Sequence, residues 1–128
     1  MREPKLSDED VKSLLASGRW ELGCHTRSHC NLRTTPADEK QDEIADSQRR
    51  LAEQYGTKVT SFAYPFGIYG PEDVELVRQA GFTTAVTTIE GIDTFPDLMQ
   101  LKRVKVSGKD SRQTFRKKLM YGKQGYKA

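Results

Sequence analysis

Three times along this chain a segment with helical periodicity closes on a glycine and gives way to a short run rich in β-branched and aromatic residues. Ser7-Asp8-Glu9-Asp10 has the oxygen cap and first-turn acids of a helix start, and Val11, Leu14 and Leu15 follow at i, i+3, i+4 before Gly18. Trp20 to Cys24 then alternates large apolar with polar or small residues, as a strand does. Thr35-Pro36-Ala37-Asp38 predicts the start of the longest helix, with Thr as cap and Pro at the first helical position. Its stripe is Ile44, Ala45, Leu51, Ala52 and Tyr55, and Gly56 ends it. A strand over 58–63, a helix from Pro71 to Gly81 and a strand over 82–88 complete the third cycle. A fourth strand over 101–106 and a helix beginning at Asp110 or Ser111, with Phe115 and Leu119 on its buried face, follow. Strands separated by helices pair in parallel, so the expected fold class is α/β, in an open layer or a barrel. In such folds chemistry collects at the carboxyl ends of the strands.

At 128 residues, 35% hydrophobic and 30% charged, the chain suits one domain with a lean core. The net charge of +3 and a pI near 8.9 do not by themselves indicate a nucleic-acid binder. No apolar run reaches the ~18–20 residues that span a bilayer. The charged opening Met1-Arg2-Glu3-Pro4-Lys5 lacks a signal-peptide core, so a cytoplasmic product is expected as written. Cys24 and Cys30 are too few for a disulfide framework.

Two stretches directly follow strand candidates and would share one rim. In the first, His25 and His29, the only histidines, lie four positions apart at the mouth of a strand and are suited to gripping a transition metal. Thr26 and Ser28 between them could orient the rings. The second is the turn-prone segment Tyr64-Pro65-Phe66-Gly67-Ile68-Tyr69-Gly70.

His25-Thr26-Arg27-Ser28-His29, preceded by Glu21-Leu22-Gly23, resembles the second motif, His-(Ser/Thr)-x-x-His, of the polysaccharide deacetylase family, the NodB-like domains of carbohydrate esterase family 4. Phe62-Ala63-Tyr64-Pro65-Phe66-Gly67 resembles its third motif, and the segment from Ala80 to Val86 matches in order and spacing. The resemblance covers roughly residues 6–120 and implies a partial, distorted (β/α) barrel of the glycoside hydrolase/deacetylase type with mostly parallel strands. It implies a hydrolase that removes N-acetyl, sometimes O-acetyl, groups from glycans such as chitin, peptidoglycan or poly-N-acetylglucosamine. It further implies a divalent metal, usually zinc, held by two histidines and one aspartate. Carried onto this chain, His25 and His29 would be metal ligands, backbone N–H groups around Phe66 would support the oxyanion, and Tyr64, Pro65, Phe66, Gly67 and Tyr69 would shape the sugar-binding groove.

Three pieces of the family pattern are missing. The first motif, Thr-Phe-Asp-Asp-Gly, which carries the third ligand and the catalytic base, has no counterpart in the nineteen residues before Trp20. Ala63 stands where an arginine often orients the base, and Leu101-Lys102-Arg103 has arginine where a late acid histidine is often found. The expectation is therefore a single incomplete domain over 1–128, with residues 122–128 as a frayed tail and little activity alone. Any export signal, and with it an envelope or extracellular location, would belong to the absent portion. An exposed barrel edge would invite association.

Other readings compete. Cys24-His25 with His29-Cys30 suggests a structural zinc site, although neighbouring strand residues point to opposite faces. The basic end, with Arg112, Arg116, Lys117, Lys118, Lys123 and Lys127 among Phe115, Tyr121 and Tyr126, would suit a small nucleic-acid-binding protein, but a solvated terminal helix is the favoured reading. A non-catalytic glycan-binding remnant would keep the aromatic groove. Trp20 is expected in the core or barrel wall, and Asp93 and Asp97, in a loop, could complete a metal shell although their spacing gives no sign of it.

Overall fold

Ser7 caps the first helix as its sequence requires: its hydroxyl accepts from the Asp10 N–H, and the Asp10 carboxylate accepts from the Ser7 N–H. A computed structural model describes residues 5–123 of the chain. In order these form α1 (Asp8–Ala16), β1 (Gly23–Cys24), α2 (Ala37–Gln41), a π-helical turn (Asp42–Asp46), α3 (Ser47–Tyr55), β2 (Ser61–Ala63), a 3₁₀ turn (Pro65–Gly67), α4 (Pro71–Gln79), β3 (Thr84–Glu90), β4 (Leu101–Arg103) and α5 (Arg112–Tyr121). Residues 124–128, most of the tail expected to fray, lie outside the described residues. Gly122 is buried, with left-handed backbone at φ +74°, and a Cβ there would meet the backbone of Gly91 and Ile92.

The four strands form one parallel sheet in the order β1-β2-β3-β4. Cys24 pairs with Phe62, and Phe62 with Ala85. These residues point to one face, where they join Leu32, Ile44, Val59, Val74, Val77, Phe82 and Met99 in the core. The opposite face, carrying Gly23, Ser61, Ala63, Thr84, Val86 and Thr88, is small-residue and polar in character and less buried. The sheet is open, with β1 and β4 as its two edges. No helix among the described residues is long and apolar enough to cross a membrane.

Several expectations are corrected. The helix read as continuous from Pro36 to Tyr55 is interrupted by the π-helical turn, and Thr35 does not cap it: Pro36 holds the cap position while the Thr35 hydroxyl donates to the Asn31 carbonyl. Gly56 does end α3, in left-handed backbone, as expected. β1, β2 and β4 are shorter than the apolar runs suggest, while β3 keeps the expected seven residues. Trp20 lies outside β1 and is 64% exposed, so it packs neither core nor wall. No side chain of α5 is buried, and Phe115 and Leu119 are 42% and 64% exposed. Lys118, in its last turn, reaches back 2.7 Å to Asp110, just before the helix.

Candidate metal and sugar-binding site

The site grows from the register of two parallel strands. Cys24 points into the core opposite Phe62, so the next residue, His25, emerges on the other face beside Ala63. The Nδ1 of His25 lies 2.7 Å from the Ala63 carbonyl oxygen. A carbonyl can only accept, so Nδ1 carries the proton and Nε2 is left with its lone pair. This is the arrangement in which a metal-ligating imidazole is oriented by a backbone oxygen.

The chain then turns sharply. Thr26 and His29 both adopt left-handed backbone, at φ +65° and +57°. The reversal brings the His29 ring back to a centroid distance of 4.8 Å from His25. After β2 the chain turns through Pro65–Gly67, where Phe66 is also left-handed at φ +61°. Its ring lies 4.5 Å from that of His29, tilted by 33°, and the residue is 57% exposed. Thr26, His29 and Phe66 are the three non-glycine residues with positive φ among those described, and all belong to this one site. Such backbone costs roughly 1–3 kcal/mol per residue and persists only where surroundings enforce it.

The rest of the Tyr64–Tyr69 segment divides into floor and rim. Tyr64 is 1% exposed, donates its hydroxyl to the Met99 carbonyl at 2.8 Å, and stacks on Tyr69 at 4.2 Å. Pro65, immediately before Phe66 in sequence, is fully buried. Tyr69 is half-buried and donates to Gln100 Oε1 at 3.1 Å. Gly67 is left-handed at φ +66°, and a Cβ there would come 2.0 Å from Thr88 Oγ1, so no larger residue fits against β3.

A residue that the sequence reading passed over secures the histidine loop. Glu43, in the π-helical turn, is 5% exposed. One of its carboxylate oxygens accepts from the N–H groups of Arg27 and Ser28, each at 3.0 Å, and the other accepts from the Ser28 hydroxyl. Its backbone carbonyl also accepts from the Arg27 N–H, at 3.1 Å. Burial works against its ionisation, but the Ser28 hydroxyl and amide, the Arg27 charge and the Arg27 amide outweigh that and hold the carboxyl below its ordinary range. The signal was present: Glu43 lies four and eight residues before Ser47 and Leu51, on the inward stripe of the helix.

The two imidazoles fit a metal as part of a ligand set, since His25 has an oriented free Nε2 and His29 is adjacent. Among the described residues no group of three His, Cys, Asp or Glu side chains converges on one point. The acids weighed in the sequence are engaged elsewhere. Asp10 caps α1, and Asp8 accepts from the Tyr55 hydroxyl. Asp93 accepts from the Lys102 amide, and Asp97 from the Met99 amide. Cys24 is packed in the core against the Ser47 hydroxyl, on the face away from His25, where burial pushes its thiol up; this geometry opposes the four-ligand zinc reading. Arg103 donates its Nε to the Thr87 carbonyl at 2.7 Å.

Residues 3–85 match the family model described as polysaccharide deacetylase. The Bacillus subtilis (strain 168) protein YxkH, which carries a provisional polysaccharide deacetylase name, is 29% identical over 103 residues, covering 80% of this chain and 37% of YxkH. The crystal structure of BC0361, a polysaccharide deacetylase from Bacillus cereus, superposes with a TM-score of 0.79 at 25% identity, covering 89% of this chain and 36% of that one. The Streptococcus pyogenes deacetylase PplD, solved in complex with acetate, shares the fold with a TM-score of 0.81 at 24% identity, over 88% of this chain and 50% of its own. The chain thus spans between about a third and a half of the length of these relatives.

Proposed function

This chain belongs to the polysaccharide deacetylase family, and from that premise we propose that it is one part of a metal-dependent deacetylase domain: the part that contributes two imidazole ligands and the aromatic rim of the sugar groove. The reaction is hydrolysis of an N-acetyl or O-acetyl group on a glycan of the chitin, peptidoglycan or poly-N-acetylglucosamine kind. The observation that carries the reading is the convergence of His25, His29 and Phe66, with the His25 Nδ1–H bound to Ala63.

His25 and His29 would hold a divalent cation, zinc by the nitrogen donors. Such an ion would supply Lewis-acid chemistry, polarisation of an acetyl carbonyl and a bound water with its pKa lowered toward ~7. The chain's own residues do the rest of what this part supplies. The exposed Phe66 ring offers an apolar face to a sugar, and Tyr69 borders it. Tyr64 and Pro65 underlie the rim and fix its height. Gly67 lets the turn lie against Thr88, and the backbone N–H of Phe66 is the donor assigned to the developing oxyanion, a contribution of a few kcal/mol.

The carboxylates that complete the metal site and act as base are assigned to a segment outside residues 5–123, so residues 1–128 are one incomplete domain. Without a base the attack of water loses about 10²–10⁴-fold. The purified chain should therefore bind a divalent cation weakly and turn over acetylated chito-oligosaccharide slowly or not at all. Titration with Co²⁺, followed by its visible absorption, tests the site. Loss of the signal in both His25→Ala and His29→Ala supports it, and binding unchanged in both overturns it. Robust turnover by the isolated chain would refute the incomplete-domain reading.

A second reading is favoured by one observation, the engagement of Asp8, Asp10, Asp93 and Asp97 in hydrogen bonds away from the histidines. In it the protein is a glycan-binding remnant that uses the Phe66–Tyr69 rim without hydrolysis. Binding of chito-oligosaccharide that survives both histidine substitutions but not Phe66→Ala would select it.

A further inference from the structure

A turn carrying left-handed Thr26 and His29 will relax unless something holds it, because that backbone is uncommon for any residue but glycine and β-branched Thr26 resists it most. Three of the contacts that hold it come from one side chain. Glu43 takes both successive N–H groups of Arg27 and Ser28 on one oxygen and the Ser28 hydroxyl on the other, and its own carbonyl takes a further share of the Arg27 N–H.

The helix is deformed where this happens. Asp42–Asp46 is a π-helical turn between two α-helical stretches, and the Ser47 amide bonds to the Ile44 carbonyl. Single π turns are uncommon and concentrate at functional sites. Here the widened turn coincides with the one residue whose side chain and carbonyl both reach the histidine loop. The carboxylate is buried, so its hydrogen bonds are not exchanged freely for water.

We propose that Glu43 is a positioning residue for the histidine pair: by clamping the Arg27 and Ser28 amides it enforces the reversal that brings the His29 ring beside His25 and Phe66. It makes no hydrogen bond to either imidazole and acts through the Arg27–Ser28 segment between them, by its two amides and the Ser28 hydroxyl. The consequence for metal binding rests on the function proposed above, but the consequence for ring geometry does not.

The test uses the full chain in metal-free and Co²⁺-loaded forms, with Glu43→Ala, Glu43→Gln and Ser28→Ala. In the metal-free protein the His29 ring protons should carry a ring-current shift from Phe66, verified by its loss in Phe66→Ala. That shift should collapse in Glu43→Ala, persist largely in Glu43→Gln, whose amide oxygen still accepts both N–H groups, and weaken partly in Ser28→Ala. Co²⁺ affinity should fall about 10–100-fold in Glu43→Ala, the range seen when groups orienting metal ligands are removed, and recover in Glu43→Gln. A Glu43→Ala protein that keeps the His29 shift overturns the proposal, whatever its thermal stability. Should Glu43→Ala fail to fold, the decision passes to Ser28→Ala, and a His29 shift unchanged there overturns the proposal. Wild-type protein that shows the shift but binds no Co²⁺ defeats the metal reading and leaves the clamp standing.

Discussion

The imidazole of His25 is tied to the backbone of the neighbouring strand: its Nδ1 lies 2.7 Å from the Ala63 carbonyl oxygen. The side chain that most directly qualifies as a ligand is thus oriented by β2, the strand that also launches the aromatic turn. Any movement of β2 would move the ring and the groove together.

A tautomer follows from that bond. With the ring neutral, long-range ¹H–¹⁵N correlation should show His25 protonated at Nδ1, because the only partner at that nitrogen is an acceptor. A spectrum dominated by the Nε2–H form would show that the Ala63 contact does not hold in solution.

Gly67 should tolerate no side chain. A Cβ there meets Thr88 Oγ1 at 2.0 Å and must also adopt φ +66°. Left-handed backbone and overpacking together predict a loss of about 2–5 kcal/mol for Gly67→Ala in urea unfolding. Combining it with Thr88→Gly should relieve the overpacking part alone, and a double-mutant cycle reads that relief as coupling. Strict additivity of the two changes would show that Thr88 is not what Gly67 accommodates.

The buried pair Lys40–Asp73, 2.9 Å apart, joins α2 to the start of α4, where Asp73 also accepts from the Gly70 N–H. Removing one partner of a buried pair leaves the other charge uncompensated and costs about 3–5 kcal/mol. Lys40→Met should lose stability on that scale, and Lys40→Met/Asp73→Asn, with both groups neutral, should recover most of it. Stability of Lys40→Met equal to that of the wild type would exclude the pair as the link between these helices.

Alkaline pH should unfold the protein through Tyr64. Burial first, then the neighbouring Tyr69, Asp97 and Asp73, push its phenol well above the ordinary value of about 10. A raised pKa means that the folded state keeps a proton the unfolded state gives up. The stabilising contribution is complete below about pH 10 and is lost as pH rises beyond it. Tyr64→Phe should be less stable at neutral pH by about 1–3 kcal/mol, since the Met99 carbonyl loses its donor. The variant should also show a shallower fall in melting temperature above pH 10, and an unchanged alkaline slope would clear Tyr64 of the effect.

Most of the architecture could be read from local chemistry. Ser7 and Asp10, Gly56, and Pro71 after Gly70 mark helix ends through interactions confined to a few residues, and these ends fall where expected. The spacing of His25 and His29 likewise marks a turn at a strand end. What could not be read depends on distant partners. Residues 36–55 have helical propensity throughout, and the π-helical turn arises where Glu43 bonds to a loop fifteen residues away in sequence. Trp20 has the composition of a core residue, but no described neighbour covers it. Phe115 and Leu119 show helical spacing, yet both stand exposed, since spacing alone does not supply a surface to pack on.

Along the sheet the strands stand in the same sequence as along the chain, all running one way. Every connection that leaves a strand therefore opens at the same end of the molecule, the end that holds the two imidazoles. Lengthening the segment after β3 or β4 would deliver new side chains to that rim without re-pairing a single strand. The rim can consequently be varied by loop grafting while the packed side of the sheet is left alone.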